Sequence, residues 1–354
     1  MKALVYTAPD EVTYRDEPAP ALVDGEVVLR IEAVGICGSD MHAYHGHDPR
    51  RVPPMILGHE FCGTIIEGPG RGRRTTGNPL IACGVCEFCA QGRNNLCANR
   101  SMVGMTRAGA YAERMSIPAK SLVDVPQDMD PVKVALVEPA ATALHALNLV
   151  TRASLRPLPE CAVLVIGGGA IGMLAALLAR SYGVRRLTVA ETNALRRASV
   201  DQAVGCATYD PRGKPAADLR GGSAADPRGG SAADPRAGGA PGDNTIDVVV
   251  DAVGSKATRA AAFAAVKPGG VVMHIGLQDW ASEIDMRKLT LAEITLIGTY
   301  TYTTADLRAT VAALHDGVFG DLAWVEERPL ADGAAAFRDL AAGRSAAAKI
   351  VLRP

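Results

Sequence analysis

The sequence lacks a charge excess and is poor in aromatic residues. Its 354 residues carry 37 lysines and arginines against 38 aspartates and glutamates, a formal net charge of −1. A near-neutral chain lacks the positive field that binds phosphate backbones or anionic lipids, so nucleic-acid and membrane-surface functions are not expected. Only two Trp, eight Tyr and five Phe are present. Five of these fall near the polar motifs described below and are expected to line a pocket, the core or a dimer contact: Tyr44, Phe61, Trp280, Tyr300 and Tyr302.

An uninterrupted membrane-spanning run is also missing. Residues 161–179 are uncharged and long enough to cross a bilayer. Gly167-Gly168-Gly169 and Gly172 interrupt that run, so a strand, a glycine turn and a helix explain it better. The first residues are followed closely by the charged Asp10 and Glu11 and do not contain the apolar core of a signal peptide. We therefore expect a cytoplasmic protein.

The length and the hydrophobic rhythm predict two domains. The first 135 residues read as short strands between Gly and Pro turns, which indicates an irregular, mainly β domain. From residue 162, apolar strands alternate with Ala- and Leu-rich helices, with a Pro268-Gly269-Gly270 turn before a strand at 271–276. This alternation predicts a parallel sheet covered on both faces. The chain after residue 298 becomes helical and closes with a strand that packs back on the first domain.

An eight-residue repeat interrupts the second of these domains. Residues 216–223 are copied almost unchanged at 224–231, and the pattern then degenerates towards residue 241. Segments of Gly, Ser, Pro and charged residues bury too little apolar surface to offset the entropy of ordering. We expect a mobile, expanded surface loop without a function of its own.

Six of the eight cysteines lie between residues 37 and 97, and four of them form one tight group. The spacing Cys83-x2-Cys86-x2-Cys89-x7-Cys97 lets four thiolates close a tetrahedral shell around Zn²⁺ with no open position, which makes the site structural. An iron–sulfur cluster also uses four cysteines. The tight triplet favours zinc, and clustered thiols in a chain of this length indicate a reducing compartment.

A second polar constellation comprises Cys37-Gly38-Ser39-Asp40-Met41-His42 and Gly58-His59-Glu60. Cys37, His59 and a carboxylate can supply the three protein ligands of a catalytic zinc, leaving one position for water or substrate. With these motifs, the four-cysteine group, Glu138-Pro139 and a later glycine fingerprint, the chain resembles the zinc-dependent medium-chain alcohol dehydrogenases. The similarity is greatest to the polyol branch (sorbitol or galactitol-phosphate enzymes) or the threonine dehydrogenase-like branch, and covers nearly the whole chain.

The resemblance implies an α/β fold with a GroES-like, mainly-β catalytic domain and a Rossmann domain with a doubly wound parallel sheet. Residues 1–148 and 298–354 are expected to form the catalytic domain with the zinc lobe. Residues 149–297 are expected to form the NAD-binding domain, with 216–241 as a low-complexity insertion.

The resemblance also implies roles for individual residues. Cys37 and His59 become zinc ligands, and Glu60 a neighbouring carboxylate that binds or releases the metal as water exchanges. Asp40 orients His59. Glu138 completes the site in the polyol branch, directly or through water, although a carboxylate beside Pro139 also suits the start of a helix.

The remaining histidines and cysteines of this region fall outside the motif positions. His45 and His47 lie in a polar run with Asp48 and two arginines, which reads as a surface loop. Cys62, Cys161 and Cys206 sit among apolar or small residues and are expected to be plain buried thiols. None of these side chains is assigned chemistry.

The glycine fingerprint is Gly167-x-Gly169-Ala170-Ile171-Gly172, between a predicted strand and a predicted helix. Glu191 follows nineteen residues after Gly172, where a carboxylate meets the adenosine ribose hydroxyls and repels a 2′-phosphate. NAD is therefore expected rather than NADP, although Arg196 and Arg197 could recruit a phosphate. By resemblance, Lys349 matches a family position that brings a cation near the pyrophosphate.

The implied mechanism is hydride transfer from an alcohol carbon to the nicotinamide, with zinc lowering the pKa of the hydroxyl. Ser39 accepts the alcohol proton and passes it through the cofactor ribose towards His42. Ser and Asp also cap turns, which is the alternative explanation for Ser39. The resemblance implies two zinc ions per subunit, an NAD(P)-dependent polyol or secondary-alcohol dehydrogenase and a homodimer or homotetramer.

Two rival functions remain open at this stage. A threonine-type amino-alcohol dehydrogenase would share Cys37, His42, His59 and Glu60 and differ in the substrate pocket. A non-catalytic nucleotide- or zinc-binding protein would be expected to lose some of these residues, all of which are present.

Overall fold

The computed structural model describes residues 1–213 and 241–354. The eight-residue repeat, predicted above to be a loop, lies outside the described residues. The strands in chain order are β1 Lys2–Ala8, β2 Glu11–Asp16, β3 Glu26–Gly35, β4 Met55–Ile56, β5 Glu60–Glu67, β6 Arg74–Gly77, β7 Leu80–Ile81, β8 Ser101–Met102, β9 Arg114–Pro118, β10 Leu122–Asp124, β11 Ala162–Ile166, β12 Arg186–Ala190, β13 Ala207–Tyr209, β14 Ile246–Asp251, β15 Val266–His274, β16 Thr295–Gly298, β17 Val325–Pro329 and β18 Lys349–Arg353. The α-helices are α1 Gly38–Tyr44, α2 Glu87–Ala90, α3 Pro131–Ala135, α4 Val137–Ala153, α5 Ala170–Ser181, α6 Ala194–Val204, α7 Lys256–Ala265, α8 Met286–Leu291, α9 Thr304–His315 and α10 Gly333–Ala341.

The described chain divides into two compact units. One comprises Met1–Thr142 together with Tyr300–Pro354, and the other comprises Ala143–Thr299. These boundaries were predicted to fall after residues 148 and 297. The first division falls inside α4, because this continuous helix belongs to both units and a sequence pattern marks only where a helix begins and ends.

The first unit is mainly β. Its larger sheet has the order β10-β6-β5-β3-β18-β17, and β9 pairs with β3 outside that path. The long strand β3 buries nearly every apolar side chain, and the last strand of the chain, β18, pairs antiparallel with it. Large aromatic side chains fill the core beneath this sheet, namely Tyr6, Phe61, Tyr111 and Phe337. The sheet thus places the C-terminal strand β18 directly beside β3, which pairs with β5 on its other side.

The second unit is a parallel α/β sheet with the order β13-β12-β11-β14-β15-β16. Every neighbouring pair is parallel. This is the order 3-2-1-4-5-6 of a doubly wound dinucleotide-binding fold, which reverses direction between β11 and β14. The central strands β11 and β14 are buried along their whole length, as expected for strands covered on both faces. The predicted fold class is confirmed.

One local prediction in this unit is wrong. The Pro268-Gly269-Gly270 segment, predicted to be a turn before the strand, lies within β15. Val266 of β15 pairs with Ile246 of β14, and Val271 pairs with Val248. Because β15 has more residues than β14 between these two pairs, the surplus residues form a bulge in the ladder. Such a bulge tolerates proline and glycine inside a strand, because the extra residue leaves the ladder locally unpaired.

No helix within the described ranges is both long enough and apolar enough to span a membrane. The uncharged run at 161–179 is divided between β11 and α5, as its glycines predicted.

Candidate active site

The N-terminus of α1 presents the first metal-ligating candidate. Cys37 is the N-cap residue of this helix, and its backbone N–H donates to the Asp40 carboxylate, Oδ2, at 3.2 Å. The Cys37 sulfur in turn accepts a hydrogen bond from the backbone N–H of Asp40, and the two bonds form a capping box. The spacing of three residues between Cys37 and Asp40 therefore has a local cause, since it starts the helix and fixes the direction of the Cys37 side chain.

Asp40 connects this helix to the rest of the site. Its side chain is fully buried, and Oδ2 accepts a hydrogen bond from the Tyr111 hydroxyl at 2.6 Å. Its other oxygen, Oδ1, lies 3.4 Å from Nδ1 of His59. Burial alone would raise the pKa of Asp40, but the charges of His59 and Arg51 and the Tyr111 hydrogen bond hold it well below its usual value. Asp40 is thus an anion that faces the His59 ring.

Glu60 forms a buried ion pair that the sequence analysis did not predict. Both of its carboxylate oxygens accept hydrogen bonds from the Lys349 ammonium at 2.7 Å, and that ammonium also donates to the Ile36 carbonyl at 2.8 Å. The side chains of Lys349 and Glu60 are 1% and 0% exposed. These contacts use all three donor positions of a lysine ammonium. The interpretation of Lys349 as a pyrophosphate contact is therefore wrong, because the side chain points into the core of the first unit.

Gly35 leaves the space that this carboxylate occupies. Gly35 and Glu60 are paired across β3 and β5, and a Cβ atom at Gly35 would lie 2.1 Å from Glu60 Oε2. No larger residue fits there without moving the carboxylate. The sheet register therefore fixes where Glu60 lies.

Cys37, His59 and Glu60 meet at one point. Each offers one ligand atom, and these atoms all lie within 4.8 Å of one another. A thiolate, an imidazole and a carboxylate are ligands that Zn²⁺ prefers. Burial would lower the pKa of His59, yet the negative charges of Asp40 and Cys37 raise it well above its usual value. This concentration of negative charge around a buried histidine suits a divalent cation.

Glu138, near the start of α4, lies outside that group of three. It is buried, and its Oε1 accepts a hydrogen bond from the Tyr302 hydroxyl at 2.8 Å. Burial raises the pKa of Glu138 to about 7, against the opposing effect of His59, and the negative charge of Glu60 adds to the rise. Its charge is therefore sensitive to the groups around it. The sequence analysis named Tyr302 only as one of five aromatic residues with no settled role.

His45 and His47 were predicted to lie in a surface loop, but two other residues of the same polar run are buried. Asp48 is 7% exposed and Arg51 is 3% exposed. Nη1 of Arg51 donates to Asp48 at 2.7 Å, and Nη2 donates to the Ser39 hydroxyl at 3.3 Å. The spacing of three residues between Asp48 and Arg51 was the available signal, since it suits an ion pair across one turn of chain. His47 is exposed, as expected for a loop.

His42 lies on α1 one helical turn after Ser39 and is half-buried. Burial is the largest cause that lowers its pKa, and the nearby His47 lowers it further, while Asp48 opposes the shift. The imidazole is therefore neutral at neutral pH and can accept a proton.

The four-cysteine group forms a separate cluster. Its sulfur atoms lie within 4.8 Å of one another in the lobe that contains α2. Backbone N–H groups of Val85 and Cys86 donate to the Cys83 sulfur and lower its pKa to about 6, whereas burial raises the pKa of Cys89 to about 11. The Cys83 thiolate thus forms readily, and Cys89 ionises when a cation shares its charge.

The second unit places the glycine fingerprint between β11 and α5, as predicted. A Cβ atom at Gly172 would lie 1.8 Å from the Gly167 carbonyl oxygen, so the helix approaches the strand as closely as a glycine permits. A Cβ atom at Gly169, the N-cap of α5, would meet no atom within 4 Å. This open helix N-terminus is where a pyrophosphate binds in such folds.

Glu191 follows β12 and is 6% exposed. Its Oε2 accepts the backbone N–H of Gly168 at 2.8 Å, and Oε1 accepts that of Asn193 at 2.7 Å. These bonds hold the carboxylate beside the fingerprint. Arg197 donates to the Glu191 backbone carbonyl at 2.7 Å and not to its carboxylate, while Arg196 lies in the first turn of α6.

Two family profiles match the chain in sequence. The alcohol dehydrogenase GroES-like domain matches residues 23–127, and the zinc-binding dehydrogenase domain matches residues 170–316.

Individual relatives agree with these profiles. L-galactonate-5-dehydrogenase of Escherichia coli K12 is 30% identical over 340 residues, which is 94% of this chain and 92% of that protein. L-threonine 3-dehydrogenase of Mesorhizobium japonicum is 35% identical over 56% of this chain and 59% of its own length. A solved zinc-binding dehydrogenase from Sinorhizobium meliloti 1021 bound to NADP has a TM-score of 0.83 at 29% identity, with 100% and 99% of the two chains covered. The alcohol dehydrogenase of Thermus sp. ATN1 has a TM-score of 0.85 at 25% identity, and both chains are fully covered.

A GroES-like β unit, a six-stranded nucleotide-binding sheet and a Cys-His-Glu centre define a pyridine-nucleotide oxidoreductase. The chain belongs to the zinc-dependent medium-chain alcohol dehydrogenase family. It is an enzyme that uses zinc and a nicotinamide nucleotide to interconvert small alcohols and carbonyl compounds.

The buried pair of Lys349 and Glu60 generates a stability prediction. The substitution Lys349→Met leaves a buried carboxylate without its counter-ion, and we expect urea unfolding at pH 7 to show a loss of about 3–5 kcal/mol. The double substitution Lys349→Met with Glu60→Gln removes the unpaired charge and recovers part of that loss. Lys2→Met, which breaks the exposed pair with Asp16, serves as the control and is expected to change nothing measurable. Equal stability of Lys349→Met and the control would contradict the prediction.

Proposed function

We propose that this protein is an NAD-linked dehydrogenase of a polyol or another polyhydroxylated secondary alcohol. The observation that carries the proposal is the meeting of Cys37, His59 and Glu60 within 4.8 Å, next to the helix that bears Ser39 and His42. L-galactonate-5-dehydrogenase, which matches 94% of this chain in sequence, is named for a sugar acid, which is such an alcohol.

In this proposal Cys37 and His59 hold the catalytic zinc, with Glu60 and Glu138 as the nearby carboxylates. When bound, zinc supplies the Lewis acidity that lowers the pKa of the substrate hydroxyl, and NAD supplies the hydride acceptor. Asp40 fixes the His59 ring by its charge and its 3.4 Å approach to Nδ1. Ser39 accepts the alcohol proton and passes it on towards the neutral His42.

The nucleotide site is proposed to comprise Gly167, Gly169 and Gly172 at the pyrophosphate, with Ala170 and Ile171 in the first turn of α5. The fixed carboxylate of Glu191 is proposed to accept the adenosine ribose hydroxyls, and its negative charge disfavours a 2′-phosphate. Arg196 is close enough in sequence to contact the ribose end. NAD is therefore expected to be used more efficiently than NADP.

A direct assay separates the substrate classes. L-galactonate, galactitol, sorbitol and L-threonine are each supplied with NAD or NADP, and reduced-nucleotide absorbance is followed with and without a zinc chelator. We expect a polyhydroxylated alcohol to exceed L-threonine in kcat/KM by at least about tenfold, because one unpaired buried polar group in a pocket costs at least that factor. The chelator is expected to abolish turnover.

The matched pair of L-galactonate and galactitol shows whether a carboxylate on the substrate is recognised. A preference for L-threonine would instead favour the rival amino-alcohol dehydrogenase, which the match to L-threonine 3-dehydrogenases supports. Absence of turnover on every alcohol, together with absence of metal at the Cys37 site, would favour a non-catalytic protein.

Metal content tests the proposed ligand sets. We expect about two zinc ions per chain in the purified protein and about one in Cys97→Ser, because a tetrahedral structural site needs all four ligands. Cys206→Ala, which removes a buried thiol remote from both groups in sequence, is the control and should retain two. Elemental analysis of the folded protein gives the answer, and an unchanged zinc content in Cys97→Ser would exclude the proposed cluster. Such a thiolate site also requires a reducing compartment, proposed to be the cytoplasm and testable by cell fractionation.

We also propose that two copies associate through β16. In the described sheet this strand lies at one edge and pairs with β15. Trp280 and Leu291, which precede this strand in the chain, and Leu296 within it are 84%, 71% and 39% exposed. An open edge strand with apolar neighbours is a ready template for pairing with another chain.

Light scattering after size-exclusion chromatography tests this association. The parent protein is expected to elute at a multiple of 36.8 kDa, and Leu296→Lys at a smaller multiple, because a lysine on an edge strand opposes strand pairing. Leu195→Lys introduces the same charge at a leucine that is 50% exposed on α6, which packs against β12 and β13 at the other edge of the sheet, and should leave the mass unchanged. A monomeric parent would contradict the proposal.

A further inference from the structure

Arg51 is a buried arginine whose guanidinium group reaches three segments of the first unit. Its side chain is 1% exposed. Nε donates to the Gly104 carbonyl at 2.9 Å, and Nη1 donates to Asp48 at 2.7 Å. The same Nη1 donates to the Ser39 backbone carbonyl at 3.2 Å, and Nη2 donates to the Ser39 hydroxyl oxygen at 3.3 Å. Arg51 therefore contacts both the backbone and the side chain of Ser39.

The negative charge of Asp48 alone does not explain why the Arg51 side chain is buried. The adjacent Arg50 already forms two hydrogen bonds to the Asp48 carboxylate, from Nε at 2.8 Å and Nη2 at 3.0 Å. The Arg50 side chain is 60% exposed and keeps its charge in water, where a surface pair costs little. Burying a second guanidinium is costly unless its N–H groups find partners. Two of the hydrogen-bond acceptors of Arg51 are the backbone carbonyl and the hydroxyl oxygen of Ser39.

We propose that Arg51 is a positioning residue that sets the direction of the Ser39 hydroxyl. This inference rests on the proposed function, in which Ser39 accepts the alcohol proton. A serine hydroxyl has one proton to donate and two lone pairs to accept with. The Arg51 N–H occupies one lone pair, which leaves one lone pair for the incoming alcohol proton and one O–H to donate onwards. Arg51 has no acceptor, so the Ser39 proton cannot turn back towards it.

The balance of the proton transfer follows from this count. One O–H bond of the alcohol breaks as one O–H bond forms on Ser39, and the original Ser39 proton leaves in the direction of His42. Arg51 gains and loses no proton in this sequence. Without Arg51, the hydroxyl can rotate freely and spends part of its time with the proton pointing at the substrate, where it cannot accept.

A double-substitution cycle distinguishes positioning from a general structural role. The variants are Ser39→Ala, Arg51→Met and the combination, assayed as zinc-loaded enzyme with the best alcohol of the panel above. We expect Arg51→Met to lower kcat by about 10–100-fold, which is part of the 10²–10⁴-fold that positioned acid–base groups supply. The KM is expected to change less than about threefold, and the solvent deuterium isotope effect on kcat to rise. In the Ser39→Ala background, Arg51→Met should cause no further loss.

The controls use the neighbouring arginine and a conservative replacement. Arg50→Gln alters the same Asp48 pair without touching Ser39 and should leave kcat and the isotope effect unchanged. Arg51→Lys keeps the charge but lacks the forked donors, so we expect a loss smaller than that of Arg51→Met. Thermal unfolding of all variants supplies a readout independent of substrate. In these unfolding measurements we expect a non-zero coupling free energy between positions 39 and 51, because the two side chains are hydrogen-bonded.

The outcomes separate this inference from the function on which it rests. If Ser39→Ala leaves kcat unchanged, the proton-relay role of Ser39 fails and the inference fails with it. If Ser39→Ala lowers kcat but Arg51→Met does not, only the inference fails. Equal fold-losses from Arg51→Met in both backgrounds, or zero coupling in unfolding, would show that Arg51 merely supports the loop. Should Arg51→Met fail to fold, Arg51→Lys in the two backgrounds provides the same comparison.

Discussion

The ion pair between Glu60 and Lys349 is the interaction on which the rest of the first unit depends. It joins positions 289 residues apart and lies where the second candidate metal ligand, His59, precedes β5. A buried carboxylate without a counter-ion would be neutralised or would disrupt the core, so the last strand of the chain must pair with β3 for the site to exist. The unit therefore cannot be completed until β18 is in place.

Asp40 plays a similar part at helix α1, which begins after Cys37 and contains Ser39. One carboxylate caps α1, accepts the Tyr111 hydroxyl and faces His59. Arg51 adds a buried positive charge on the far side of Ser39. Each of these charged groups is stable in the interior because an opposite charge or a hydrogen bond lies against it, and together they hold Cys37, Ser39 and His59 with little freedom. Support of this kind fixes the geometry of a candidate metal site.

Much of the architecture followed from local patterns. The alternation of apolar strands and helices after residue 162 predicted the parallel sheet, and the glycine fingerprint predicted the turn between β11 and α5. The four cysteines were found from their short, regular spacing, whereas the resemblance to the alcohol dehydrogenases assigned roles to Cys37, His59 and Glu60. The Pro-Gly-Gly segment was misjudged as a turn because turn residues inside a strand are tolerated at a bulge, which depends on the neighbouring strand.

The sequence by itself determined the four-cysteine group and the glycine-rich nucleotide turn, because each is encoded within a short stretch of chain. The alternation after residue 162 predicted the parallel sheet, and the resemblance over nearly the whole chain supplied the GroES-like unit and the group of Cys37, His59 and Glu60. Only the tertiary structure decided the partners of those groups. Lys349 meets Glu60, Tyr302 meets Glu138 and Arg51 meets Ser39 across segments that no spacing rule connects. The physical reason is that a buried polar group must be paired, and which residue pairs with it depends on strand order and register, not on proximity in the chain.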